Sequence, residues 1–207
     1  MRTYRWVVVL AVVLSPSPAL AEQTARAGAA LVRGEGEVYL DDRIVDANSA
    51  PSPLPPVVLR TGRGRAAIAL KRGGLLLLDS DTSVRVLHNG FYNFNRIEVL
   101  AGSAIVMSGT SAPLVECESD IRLSDAGTFR FDIRHERGAA ESTRCQFRVF
   151  DGSAAVPLAS VTDALRAGQM MRLLRECGDH NPNFEFSREQ LDDFDQWARR
   201  MRAQLGN

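Results

Sequence analysis

The sequence predicts an all-β fold closed by one C-terminal amphipathic α-helix, and three observations predict it. Short apolar runs bounded by Gly, Asp or Asn follow one another along most of the 207 residues. One eight-residue phrase, VLAGSAIV at 99–106, recurs as VFDGSAAV at 149–156 with five positions identical. Only residues 187–207 trade a period of two for a helical one.

The runs GEVYL, VVLR, AAIAL, GLLLLD, SVRVL, RIEVL, SAIVM, PLVEC, DIRL, TFRFDI, CQFRVF, SAAV and MMRLL each have the length of a strand. Several alternate in character: Phe129, Phe131 and Ile133 against Arg130 and Asp132, and Cys145, Phe147 and Val149 against Gln146 and Arg148. A period of two implies one buried face and one wet face. Regular short strands with turn residues between them argue an all-β architecture. DANSAPSPLPP at 46–56 reads as a surface loop, because proline cannot donate to a ladder.

Each copy of the repeated phrase is a strand end, a glycine, then Ser-Ala and a further apolar pair. The glycine predicts a positive-φ corner, and the small residues after it let the next strand pack close. Looser versions stand at GEGEVYL (34–40) and RAGQMMRL (166–173). Strand–corner–strand units of this kind predict a β-solenoid-like or sandwich-like wrap whose turns share one core.

At the C-terminus, Ser187 and Gln190 fit a capping box. Leu191, Phe194, Trp197, Met201 and Leu205 then form one apolar helical stripe. Asp192, Asp193 and Asp195 near the start and Arg199, Arg200 and Arg202 near the end suit the helix dipole. The expected organisation is a cleavable leader over 1–21, an all-β domain over 22–186, and a helix over 187–207 packed on it as a cap that protects a sheet edge.

The leader is read from Arg2 and Arg5, an apolar run from Trp6 to Leu14, and Ala19-Leu20-Ala21, a small-x-small pattern. The run is too short to span a bilayer, and no later run is long and apolar enough. The expected location is therefore periplasmic or secreted, with no membrane span after cleavage. Formal charge is zero and falls to about −2 without Arg2 and Arg5, so a nucleic-acid partner is not expected.

Cys117, Cys145 and Cys177 predict one disulfide and one thiol in an oxidising space, with three pairings open. Cys117 shares a strand face with Val115, Ile121 and Leu123 and reads as a core thiol. Cys145 and Cys177 sit at strand ends beside polar tips, so Cys145–Cys177 is the expected pair. No Cys-x-x-Cys or His-x-x-x-His spacing suggests a metal.

The ordered series LRTGRGRAAIALKRGGLLLLDSDTSVRVL, RIEVLAGSAIVMSG, SDAGTFRFDI, FRVFDGSAAV and RAGQ resembles the FecR-type domain. The tail NFEFSREQLDDFDQWARRMRAQ resembles the Asp/Trp/Arg helix of secreted bacterial members, and the resemblance spans about residues 30–205. It implies an extracytoplasmic all-β binding module without catalytic residues or cofactors. The namesake regulators cross the inner membrane and relay a signal from an outer-membrane transporter to a sigma factor. The sigma-binding segment and membrane helix of that layout have no counterpart in this sequence, so the signalling role is not implied.

Other motifs weigh less. GRGRAA (62–67) with Asp79 and Asp81 mimics a dinucleotide fingerprint, but its surroundings read as strand and turn. His88, His135 and His180 are separated in sequence and read as surface residues. Ser103, Ser108 and Ser111 lack a Gly-x-Ser-x-Gly elbow. In GFYNFNRIE (90–98), Phe91, Tyr92 and Phe94 alternate with amides, which suits glycan or peptide contacts as well as a hairpin plug. Trp197 is either part of the helix cap or a docking face. The expected function is a non-catalytic FecR-like interaction module with an envelope protein as partner; the alternative is a protein that binds glycan or peptidoglycan.

Overall fold

The computed structural model describes residues 29–46, 50, 54, 56–89, 94–135, 143–157, 162–174 and 180–205. The leader, Phe91, Tyr92 and Cys177 lie outside them. Among the described residues, fourteen strands and one α-helix occur in this order: β1 Ala29–Leu40, β2 Arg43–Ile44, β3 Val57–Leu70, β4 Leu75–Leu78, β5 Ser83–Asn89, β6 Phe94–Met107, β7 Leu114–Glu116, β8 Asp120–Leu123, β9 Thr128–His135, β10 Thr143–Asp151, β11 Ser153–Pro157, β12 Thr162–Arg166, β13 Gln169–Leu174, β14 His180–Glu185 and α1 Asp193–Leu205. The chain is all-β with a C-terminal helix.

The strands form one continuous hydrogen-bonded sheet folded onto itself. Three long strands make the fold: β1 stays paired with β3 along its length, while β3 and β6 change partners on their other edges. The first part of β3 (57–60) pairs with β5, and its last part (66–69) pairs with β4. Likewise β6 pairs with β5 and β7 over its first half, then with β4 and β9 over its second. The pairings therefore divide into two layers. The first holds β2, the end of β1, the start of β3, β5, the start of β6, β7, β8, β11 and β12. The second holds the start of β1, the end of β3, β4, the end of β6, β9, β10, β13 and β14.

The glycine of each repeated phrase is where the chain passes from one layer to the other. Gly102 (φ 80°) takes β6 from the first layer into the second, and Gly152 (φ 84°) takes β10 of the second into β11 of the first. After each corner the same two positions point inward: Ala104 and Val106 in one copy, Ala154 and Val156 in the other. Gly36 and Gly168, in the two looser copies, also have positive φ. Of the two wraps that the sequence left open, the solenoid-like one is not adopted; the single sheet closes on itself in a barrel-like way. A solenoid stacks parallel strands, whereas among the described residues every pairing is antiparallel except β6 with β7. VVLR and AAIAL, and RIEVL and SAIVM, prove to be halves of single bent strands.

Between the layers lies one apolar core that includes Leu59, Ile68, Val84, Ile97, Val115, Ile121 and Val156. At its centre Phe131 and Phe147, directly opposite on β9 and β10, stack at 4.8 Å between ring centroids. Cys117 and Cys145, both fully inward, are joined in a disulfide across the layers, with Cα atoms 5.9 Å apart. The expected partner of Cys145 was Cys177, and the structure corrects that. The alternation that hid Cys117 in the core also aims it at Cys145 on the facing layer. A closed loop with a separation of 28 stabilises the fold by about 3–4 kcal/mol in the chain-entropy account.

The helix lies on the outer face of the second layer. Phe194, Trp197, Ala198 and Met201 pack there on Ala67, Leu75, Leu77, Ile105 and Met107. That explains the unbroken leucines of β4: Leu76 and Leu78 enter the inner core, while Leu75 and Leu77 lie under α1. The helix covers a face where an edge cap was expected. The 46–56 segment is not wholly a surface loop either, since Leu54 is buried and its amide donates to Ala29 at 2.9 Å.

Of the two closely matching copies, the corner at Gly102 leaves less room than that at Gly152. A Cβ there would sit 2.5 Å from Thr82 Oγ1 and 2.7 Å from the Asp81 carbonyl. Gly73 has the same φ of 80° with nothing within 4 Å. Gly73→Ala is expected to cost about 1–2 kcal/mol for φ alone, and Gly102→Ala distinctly more, read by denaturant unfolding. Equal losses at the two sites would contradict the corner.

Candidate functional site

The outward row of β9 and β10 was expected to be wet. Instead, Arg130 and Asp132 are 5% and 6% exposed. They lie under the N-terminal turn of α1, and the sheet register explains the arrangement. Arg130 and Arg148 are directly opposite on neighbouring strands, a like-charge pairing that costs stability unless something bridges it. Asp132 does so, accepting from Arg130 Nε at 3.0 Å and Arg148 Nη2 at 2.6 Å. Its cross-strand neighbour on β6, Ser103, donates a third hydrogen bond at 2.6 Å.

From the other side the helix supplies carboxylates. Arg130 Nη1 lies 2.7 Å from Asp195 and 2.7 Å from Asp192. These two aspartates also cap the helix reciprocally. The Asp195 amide donates to the Asp192 side chain at 2.9 Å, and the Asp192 amide donates to the Asp195 side chain at 3.2 Å. This capping box replaces the expected one at Ser187 and Gln190, so the helix begins at Asp193. Asp is as good a cap as Ser, and here its remaining oxygen finds a buried guanidinium.

Burial works against the Arg130 charge, but the carboxylates of Asp132, Asp195 and Asp192 outweigh it and hold its pKa above the ordinary guanidinium value. Burial pushes the Asp195 carboxyl above the usual aspartate value, with help from the charge of Asp192 and against the pull of Arg130. Burial acts the same way on Asp192, but hydrogen bonds from the Asp195 amide and Arg130 prevail and lower it.

Beside this cluster a groove of about 580 Å³ opens between α1, residues 187–191 and the sheet. Its apolar lining includes Ile105, Met107, Phe150, Leu191 and Ala198. Arg188, Arg199 and Arg202 also line it, all three exposed. Phe150 meets Phe186 edge-on at 5.1 Å.

The structure scatters most residues that the sequence singled out. Trp197 is 3% exposed, with its indole N–H donating to Glu35 at 3.1 Å and the guanidinium of Arg65 over its ring. It caps the sheet and presents no docking face. Phe94 opens β6 opposite Asn89, while Phe91 and Tyr92 fall outside the described residues. GRGRAA lies inside β3, and Asp79 is ion-paired with Arg65 at 2.8 Å. His88, His135 and His180 stand on β5, β9 and β14. Ser108 is taken up by the 124–127 turn, accepting from the Gly127 amide at 2.7 Å. Sequence reasoning missed the Arg130 cluster and the groove. The available signal was Arg and Asp alternating on β9, together with an aspartate-rich helix start.

No family model and no curated protein matches the chain. Among solved structures it is similar to two crystal structures of a candidate anti-sigma factor from Parabacteroides distasonis. Both have a TM-score of 0.52, at 13% and 12% identity, over 64% of this chain. The match spans 61% of the length of those chains. At this identity the likeness is one of fold. No helix among the described residues is long and apolar enough to cross a membrane.

The opposed shifts of the capping aspartates have a pH consequence. The raised value of Asp195 gives a contribution present at acid pH and lost as pH rises through that value. The lowered value of Asp192 gives one present at neutral pH and lost as pH falls through it. In a carboxyl-detected NMR titration, Asp195 is expected to take up its proton at higher pH than Asp192. The reverse order would contradict the cluster as described.

Proposed function

We propose that the protein is a non-catalytic, FecR-like protein-interaction module of the bacterial cell envelope. The observation that carries this reading is the fold: a folded-over sheet with glycine corners, similar to that of anti-sigma-factor structures. The disulfide between the layers suits an oxidising compartment, and so supports an extracytoplasmic location. Polar side chains of the catalytic types have structural tasks. Ser103 and Asp132 serve the Arg130 cluster, and Ser108 holds a turn. The partner on this reading is an envelope protein, with no nucleic acid and no cofactor involved.

The test is photo-cross-linking of the full chain in its native envelope, with identification of what is captured. A stoichiometric membrane-embedded regulator or transporter is expected. Recovery of wall fragments alone, together with loss of pelleting with purified wall in the variant F91A/Y92A/F94A, would replace this reading with the glycan one.

A further inference from the structure

We propose that the groove between α1 and the sheet binds a partner-protein segment that carries two carboxylates flanking one apolar side chain. This rests on the interaction-module reading and names the chemistry its partner would present.

The chain as a whole has zero formal charge, yet three arginines converge on this one groove. Their origins differ. Arg199 and Arg202 stand three apart on α1 and therefore share one helix face. Arg188 comes from the segment before the helix and lines the same groove. The helix dipole accounts for a cation in the last turn, such as Arg202, but not for Arg188.

Three acids share the lining, and among the described residues none of them is ion-paired with these arginines. Asp195 is committed to Arg130, and Asp151 accepts from the amide of its own corner, Gly152, at 3.0 Å. Glu189 remains as the third acid. Arg188 donates to the Phe150 carbonyl at 3.3 Å, and Arg199 and Arg202 have no ion pair among the described residues. A guanidinium binds a carboxylate through two parallel hydrogen bonds, so two helix-borne forks one turn apart suit two acidic side chains. Met107, Phe150 and Leu191 supply an apolar seat in the same groove. A volume of about 580 Å³ is enough for such an anchor with its flanking backbone.

The test uses a displayed library of random decapeptides, selected on the folded full chain and then titrated as synthetic peptides. Enriched peptides are expected to carry at least two Asp or Glu beside a Leu, Met or Phe. Their affinity is expected to fall about ten- to hundredfold in R199E/R202E. It should also fall steeply between low and high salt. The milder R199Q/R202Q should shift it in the same direction, with both variants melting like the parent chain.

Enrichment of peptides without carboxylates, enrichment of none, or equal binding by R199E/R202E would overturn the proposal. Retention of purified wall glycan that R199E/R202E abolishes would overturn it in favour of a wall polymer. Envelope cross-linking reports separately on whether a protein partner exists, so the groove can fail while the interaction reading stands.

Discussion

The structure turns on one buried positive charge. Arg130 sits between the sheet and the helix, where an unpaired guanidinium would cost several kcal/mol. It is matched from both sides, by Asp132 on its own strand and by Asp192 and Asp195 on the helix. Asp132 also answers Arg148, so two guanidinia and three carboxylates meet at the positive end of the helix dipole. Apolar packing of Phe194, Trp197 and Met201 could be satisfied at several helix positions. The ion cluster can be satisfied at one, and it sets where α1 lies. The groove follows from that, because α1 forms one of its walls.

Beneath the helix, the sheet depends on glycine corners. Bending β1, β3 and β6 lets one sheet serve as both layers and leaves few free edges. Closure has a cost at Gly36, Gly102 and Gly152, where the chain adopts positive φ beside another backbone. At Gly102 the space that a Cβ would need is filled by Asp81 and Thr82. The disulfide adds a covalent tie between layers that are otherwise joined by the bent strands and by packing. The first layer keeps a solvated outer face, with a ladder of Arg85 with Glu98 and Arg96 with Glu116 and Asp120.

Much of this was legible in the sequence. The repeat VLAGSAIV/VFDGSAAV marked two true layer crossings, because only glycine tolerates such a corner. Phe194, Trp197 and Met201 of the C-terminal stripe do lie on the buried face of α1, while Leu191 falls before the helix. What could not be read was the second covering of the sheet. Alternation on β9 shows that Arg130 and Asp132 oppose the core, but not that a helix distant in sequence lies over them. The same blindness moved the cap: Asp192 and Asp195 fitted a dipole argument, and only the position of Arg130 showed that they begin the helix. The disulfide was misassigned for a related reason, since inward direction is local while the facing partner is a property of the folded layers. The groove combines a helix, a loop and three strands, so no linear motif announces it.

The functional account needs α1 held in place, because a helix free to shift would present no fixed pair of arginines. The most direct measurement is a double-mutant cycle between Arg130→Met and Asp195→Asn, read by denaturant unfolding with Trp197 fluorescence. A coupling of about 2 kcal/mol or more is expected for a buried, hydrogen-bonded pair that holds the helix down. Additivity within about 0.5 kcal/mol would contradict it and leave the helix placed by apolar packing and its hydrogen bonds to β1.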